Sequence, residues 1–140
     1  MQAYENGAHA YHATLPTDSL LRFRNVIREA ENTGLEILKN AQMELGKRVA
    51  QVIDKKGIIR VADDPFQSPS VFVCYGDETK NWVNAFVAKG IQVAGGVPLQ
   101  CDEAKDFNTY RVGLFGLDKL TNVERTVDTF SQALNKIYGQ

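Results

Sequence analysis

Arg111 is the residue of this chain whose setting most needs a chemical reason. It stands in Tyr110-Arg111-Val112-Gly113-Leu114-Phe115-Gly116, an otherwise apolar run. A guanidinium held in such a strand requires an acceptor, and its planar fork of donors matches a carboxylate through two parallel hydrogen bonds. A substrate carboxylate would serve. An internal salt bridge or an outward-facing edge position would also account for it. The second candidate is Tyr11-His12-Ala13-Thr14-Leu15-Pro16. A phenol and a hydroxyl three residues apart, just ahead of a helix start, suit hydrogen bonding to an anion such as a phosphate. A packed ring and a local hydroxyl turn are the plainer alternative. The third is Gly95-Gly96-Val97-Pro98 at a strand end, where glycine permits unusual torsions or close approach of a ligand to the backbone, and where a simple turn is the commoner cause.

Other chemistries find little support. His9 and His12 share the lead-in, but no acidic or thiol ligand lies near them, so no metal site is expected. Cys74 and Cys101 lack metal-ligand spacing, and Cys74, inside Val71-Phe72-Val73-Cys74-Tyr75, reads as a small buried hydrophobe. A net charge of −1 with no cationic run argues against a nucleic-acid partner. No apolar stretch approaches the roughly 20 residues of a membrane span, and the polar N-terminus lacks a signal-peptide core. A reduced, cytoplasmic setting is the default. At 140 residues, 44% hydrophobic and 24% charged, the chain has ordinary globular composition and room for one core.

The elements that must position these residues follow from periodicity. Residues 1–16 read as an extended lead-in. Thr17 is a candidate N-cap with Asp18 at the positive end of the helix dipole, and Leu20, Phe23, Ile27 and Ala30 carry a first helix to about Asn32. After Gly34 a longer amphipathic helix presents Leu35, Leu38, Leu45, Val49, Val52 and Ile53, and stops at Lys55-Lys56-Gly57. The rhythm then changes. Strands are expected at Ile58–Val61, Ser70–Tyr75, Ile91–Ala94 and Tyr110–Phe115, with a helix over Asp77–Lys89, a polar loop over 97–108 and a terminal helix over Leu120–Tyr138. The fold class is α+β: a small mixed sheet of about four strands with helices packed on one side, preceded by a long helix pair.

Taken in this order, the elements and motifs resemble the C-terminal small domain of class V, fold-type I aminotransferases, the alanine–glyoxylate and serine–pyruvate type. The likeness covers nearly the whole chain: a Tyr-His-x-Thr-x-Pro lead-in, two helices with a glycine between them, an apolar strand and helix, a strand ending in glycines, the Arg-Val-Gly-Leu-Phe-Gly strand, and a closing helix that starts at Asn122-Val123. The resemblance implies a pyridoxal-phosphate enzyme that moves an amino group between an amino acid and a 2-oxo acid. It implies that residues 1–16 are a linker from a large N-terminal domain and 17–140 the small domain. By the same resemblance, Arg111 binds the substrate α-carboxylate, and Tyr11 and Thr14 bind the coenzyme phosphate in the neighbouring subunit of a homodimer. Gly95 and Gly96 would lie near the substrate entrance.

One departure limits the transfer. The family's imine-forming lysine, its pyridinium-binding aspartate and its ring-stacking aromatic belong to the large domain. Lys80, Lys89 and Lys105 occupy polar positions, where a solvated ammonium is a poor nucleophile. The chain is therefore expected to lack a catalytic residue of its own, to be inactive alone, and to need a large-domain partner that binds the coenzyme. A different class of function is a free-standing α+β module that binds a ligand or partner without chemistry. A cysteine desulfurase is disfavoured, because Cys101 lies among acidic neighbours, Asp102 and Glu103, which work against a thiolate.

Overall fold

The structure is a computed structural model that describes residues 2–8, 15–77 and 80–139. Tyr11 and Thr14, the two expected phosphate ligands, lie outside the described residues, as do His9 and His12. The chain divides into two compact units, residues 1–34 and residues 35–140.

The first unit holds a short helix α1 (Gln2–Glu5) and the helix α2 (Thr17–Thr33). Pro16, not Thr17, occupies the N-cap position of α2, and no side chain caps it. The helix ends at Gly34, whose φ of 98° is the left-handed torsion that glycine reaches without a Cβ clash, and whose N–H bonds the carbonyls of Ala30 and Glu31. No residue of α2 is buried.

The second unit carries the core. Helix α3 (Leu35–Lys55) follows, then a 3-10 turn at Asp64–Phe66, strand β1 (Val71–Tyr75), helix α4 (Trp82–Val87), strands β2 (Ala94–Gly95) and β3 (Thr109–Gly113), and helices α5 (Leu117–Leu120) and α6 (Val123–Tyr138). The strands form one sheet in the order β1-β3-β2, with both pairings antiparallel. The α+β class and the one-sided helices are as the sequence indicates. The sheet has three strands, because the Ile58–Val61 segment adds only an isolated bridge, Arg60 to Cys74. There Arg60 turns away to Asp54, with Nε–Oδ1 at 3.0 Å and Nη2–Oδ2 at 3.2 Å, and to Asp64 Oδ1 at 2.7 Å.

Local capping explains the other shifts in boundary. Asn81 Oδ1 accepts from Asn84 N at 3.0 Å, so α4 begins at Trp82, and Asp77, Lys80 and Asn81 stay outside it. Asn122 does the same for Arg125 N at 3.0 Å, so the terminal helix α6 begins at Val123 instead of Leu120, and Leu120 closes the short α5 before it. The inner face of α6 buries Val127, Phe130 and Leu134.

The core gathers Leu45, Val49 and Ile53 from α3, Trp82 and Phe86 from α4, Phe130 and Leu134 from α6, and Phe72, Cys74, Tyr110, Val112 and Leu114 from the sheet side. Aromatic rings fill its centre: Trp82 stacks at 5.2 Å on Tyr110 and at 5.0 Å on Tyr138, and Phe86 lies 5.4 Å from Tyr110. Burial of each such side chain contributes about 1.5–3 kcal/mol. Among the described residues no helix is long and apolar enough to cross a membrane.

Candidate functional site

Strand β3 is the central strand, and its alternation sorts chemistry from packing. Tyr110 and Val112 point into the core with Leu114 just beyond them. Thr109, Arg111 and Gly113 therefore share the opposite face. Arg111 is paired across the sheet with Val73 of β1 and Ala94 of β2, so it sits mid-sheet, not at an edge. Apart from the buried Thr109, its neighbours on that face are open or half-open to solvent: Val71 and Val73 are half-buried, Tyr75 is 43% exposed, and Gly113 and Ala94 are exposed. The edge alternative raised for Arg111 is thereby removed.

The internal salt-bridge alternative also finds no partner. Arg111 Nε donates to the carbonyl of Gly95 at 3.0 Å, and no carboxylate pairs with the guanidinium among the described residues. The contrast within the same unit is plain, since Arg48 reaches Glu124 at 2.7 Å and Arg60 holds two aspartates. The Gly95 contact fixes one edge of the Arg111 fork and leaves the terminal nitrogens for an acceptor from outside.

Gly95 and Gly96 thus matter through their backbone. Gly96 N bonds Thr109 O at 2.7 Å, which extends β2 past its assigned end. A Cβ on Gly96 would fall 1.8 Å from Thr109 Oγ1 and 2.6 Å from its carbonyl oxygen, so only glycine lets the turn lie this close to β3. Thr109 is buried, and its Oγ1 has no hydrogen-bond partner among the described residues. A groove of about 1160 Å³ opens beside this corner, lined among others by Trp82, Gly95, Gly96, Phe107 and Thr109. Arg111 does not line it, so the groove adjoins the arginine face without covering it.

The loop from Val97 to Asn108, polar in sequence, is held by one of its own carboxylates. Glu103 accepts from the backbone N–H groups of Leu99 at 2.6 Å, Gln100 at 3.0 Å and Cys101 at 2.9 Å. Those N–H donors, Cys101 foremost, hold its carboxyl down at about 2. Gln100 and Asp102 adopt the left-handed torsion, with φ of 59° and 62°, to turn those groups inward. Nothing in the spacing of Glu103 announces this; a carboxylate two to four residues after exposed amides is the faint signal.

Neither cysteine is disulfide-bonded. Cys101 is exposed, and Cys74 is buried, where desolvation pushes its thiol up to about 11 against a hydrogen bond from Tyr110. The Tyr110 hydroxyl is also pushed upward by burial, and it lies 3.0 Å from that of Tyr138. No described lysine is buried. Lys80 Nζ sits 5.0 Å over the Trp82 ring and donates to Ile137 O, Lys56 donates to Gly139 O, and Lys119 pairs with Asp118. Among the described residues no cluster of three or more histidine, cysteine or acidic side chains could hold a metal ion.

Three antiparallel strands backed by helices form the fold that this chain shares with portions of solved aminotransferases. An alanine–glyoxylate aminotransferase from Nostoc sp. matches at 18% identity with a TM-score of 0.64, over 89% of this chain and 33% of that one. A ureidoglycine–glyoxylate aminotransferase from Bacillus subtilis matches at 18% identity and TM-score 0.61, over 81% and 30%. An aspartate aminotransferase of subgroup IV from Thermus thermophilus matches at 20% identity and TM-score 0.53, over 69% and 26%. This chain spans about a quarter to a third of their lengths. No family model and no curated protein matches the chain.

Proposed function

We propose that this chain is the C-terminal small domain of a class V, fold-type I aminotransferase and supplies its substrate-carboxylate arginine. The observation that carries the reading is Arg111: mid-sheet, on the half-open face, anchored through Nε to Gly95 O and paired with no carboxylate among the described residues. The shared fold supports the general kind of protein. In this reading residues 1–16 are the linker from a large domain and residues 17–140 the small domain. Tyr11 and Thr14 contribute to a phosphate site in a homodimer, and the substrate is a small amino acid, such as alanine or serine, or its 2-oxo acid partner, such as glyoxylate or pyruvate.

The described residues do not by themselves fit the coenzyme. Pyridoxal phosphate needs a lysine that loses its proton to form an imine, and every described lysine is exposed or already donating to a carbonyl or carboxylate. No chemical step is therefore assigned to this chain. Its part is orientation: two N–H donors of Arg111 grip the α-carboxylate and set where the amino-bearing carbon lies.

The test is reconstitution with a matching large domain, followed by transamination kinetics. Arg111→Lys keeps the charge and loses the fork, so KM should rise about 10- to 100-fold, the worth of one charge-assisted hydrogen bond. An unchanged KM removes Arg111 from the site. Treatment of this chain alone with pyridoxal phosphate and borohydride should label no single lysine preferentially, and one specifically labelled lysine would contradict the division of labour.

A further inference from the structure

The corner that anchors Arg111 is built around a missing side chain. Strand β2 is two residues long and lies at the edge of the sheet, so few ladder bonds set its distance from β3. The close seat at Gly96 sets it instead. Gly96 N meets Thr109 O at 2.7 Å, and the Thr109 hydroxyl fills the place a Cβ would take. That hydroxyl is buried and has no hydrogen-bond partner among the described residues, so packing alone keeps it there. Gly95 is different. A Cβ on Gly95 would meet nothing closer than Val83 Cγ2 at 3.9 Å, an ordinary contact, and neither glycine adopts the left-handed torsion. Glycine is therefore required at 96 by β3, and at 95 by no contact among the described residues.

What the close seat delivers is the carbonyl of Gly95, held 3.0 Å from Arg111 Nε. A guanidinium offers a carboxylate two edges, one through Nε and a terminal nitrogen, the other through both terminal nitrogens. With Nε occupied, only the second edge stays free, and the plane of the fork is fixed. An alanine at 96 would need to back away from Thr109 O by about 0.8 Å, from 2.6 Å to the 3.4 Å of an ordinary contact. A shift of that size takes a 3.0 Å hydrogen bond out of range.

We propose that Gly96 is a positioning residue for Arg111: by letting β2 close on β3, it holds the Gly95 carbonyl where it locks the guanidinium end-on to an incoming carboxylate. The inference rests on Arg111 as the carboxylate-binding group. It gives the Gly95-Gly96 pair a role within the sheet, exerted through the arginine and not by contact with a ligand.

Proton exchange at arginine Nε, read by NMR on the full chain, tests the anchor. Arg60 Nε, bonded to Asp54 at 3.0 Å, is the protected reference, and Arg22, Arg24 and Arg28, exposed on α2, are the free ones. The Arg111 proton should exchange about tenfold or more slowly than those of the free three. Gly96→Ala should bring it to their rate, and Gly95→Ala should leave it slow. With a large domain restored, Gly96→Ala should also raise KM about tenfold with kcat little changed, the loss of one charge-assisted hydrogen bond. A parent Arg111 that exchanges like the free arginines overturns the proposal without any variant, so the test survives a Gly96→Ala chain that fails to fold. Equal loss of protection in Gly95→Ala, or a Gly96→Ala protein with slow exchange and unchanged KM, overturns it while Arg111 keeps its role. If Arg111→Lys leaves KM unchanged, the carboxylate reading falls and takes the positioning role with it, while the anchor measured by exchange stands.

Discussion

Replacing Gly46 by alanine should destabilise the protein, although helix propensity alone says the opposite. Gly46 lies in the middle of α3, where Gly→Ala is worth about 1 kcal/mol of stabilisation in an exposed helix. Here the added Cβ would fall 2.6 Å from Pro69 O, 2.7 Å from its Cα and 2.8 Å from its Cβ. Two of those atoms are backbone and the third is in a rigid ring, so no side chain can swing aside. Overpacking of this kind costs about 1–3 kcal/mol, and three contacts at once belong at its upper end. Pro69 O also accepts from Gln42 Nε2 at 2.9 Å, a bond worth about 1 kcal/mol that the displaced proline would lose. The net is a loss of about 2–3 kcal/mol, or roughly 10 °C in Tm for a unit of this size. Urea denaturation of the variant beside the parent measures it. The consequence reaches the arginine strand, because Pro69 leads into β1, which pairs with β3 from Val71↔Gly113 to Tyr75↔Thr109. A Gly46→Ala protein as stable as the parent, or more so, would refute the packing of α3 on the segment before β1.

Three further outcomes follow from the same geometry. Phe86→Ala empties the centre of the aromatic cluster, where the ring is fully buried against Tyr110 and Phe130, and should cost about 3–5 kcal/mol in chemical denaturation. Glu103 has a folded value of about 2 against an ordinary value of 4.5, so its hold on the loop is complete above pH 4.5 and fades as pH falls toward 2. Amide exchange at Leu99, Gln100 and Cys101 should be slow above that window, and Glu103→Gln should speed it at neutral pH, while unaltered exchange in the variant would show that the carboxylate does not order the loop. Of the two thiols, Cys101 should react with a disulfide reagent at pH 8 within seconds and Cys74, buried with its thiol near 11, only on unfolding; two equally fast thiols would contradict the packing around Cys74.

Much of the architecture was legible in the amino-acid order because it depends on local periodicity. The stripe of α6, the apolar run of β1 and the Lys55-Lys56-Gly57 stop state their own secondary structure, since the period of burial is the period of the element. Even the breaks at Asn81 and Asn122 were present as capping residues, although their force is visible only once their side chains are seen to accept from Asn84 N and Arg125 N. Ile58–Val61 reads as a strand by composition, but a strand needs a partner along its length, and this segment pairs with β1 only through the single bridge of Arg60 to Cys74.

For the site, residue type alone identified Arg111 as out of place in an apolar strand, and it could do no more. Whether that guanidinium meets an internal carboxylate, an edge or an open face depends on which strands flank β3, and strand order is a long-range property. Only the tertiary structure sets Val73 and Ala94 on either side of Arg111, brings Gly95 O within 3.0 Å of its Nε, and folds Glu103 back onto three amides. Periodicity says which way a side chain points along its own element, while what it points at is decided by chain that returns from far away in sequence.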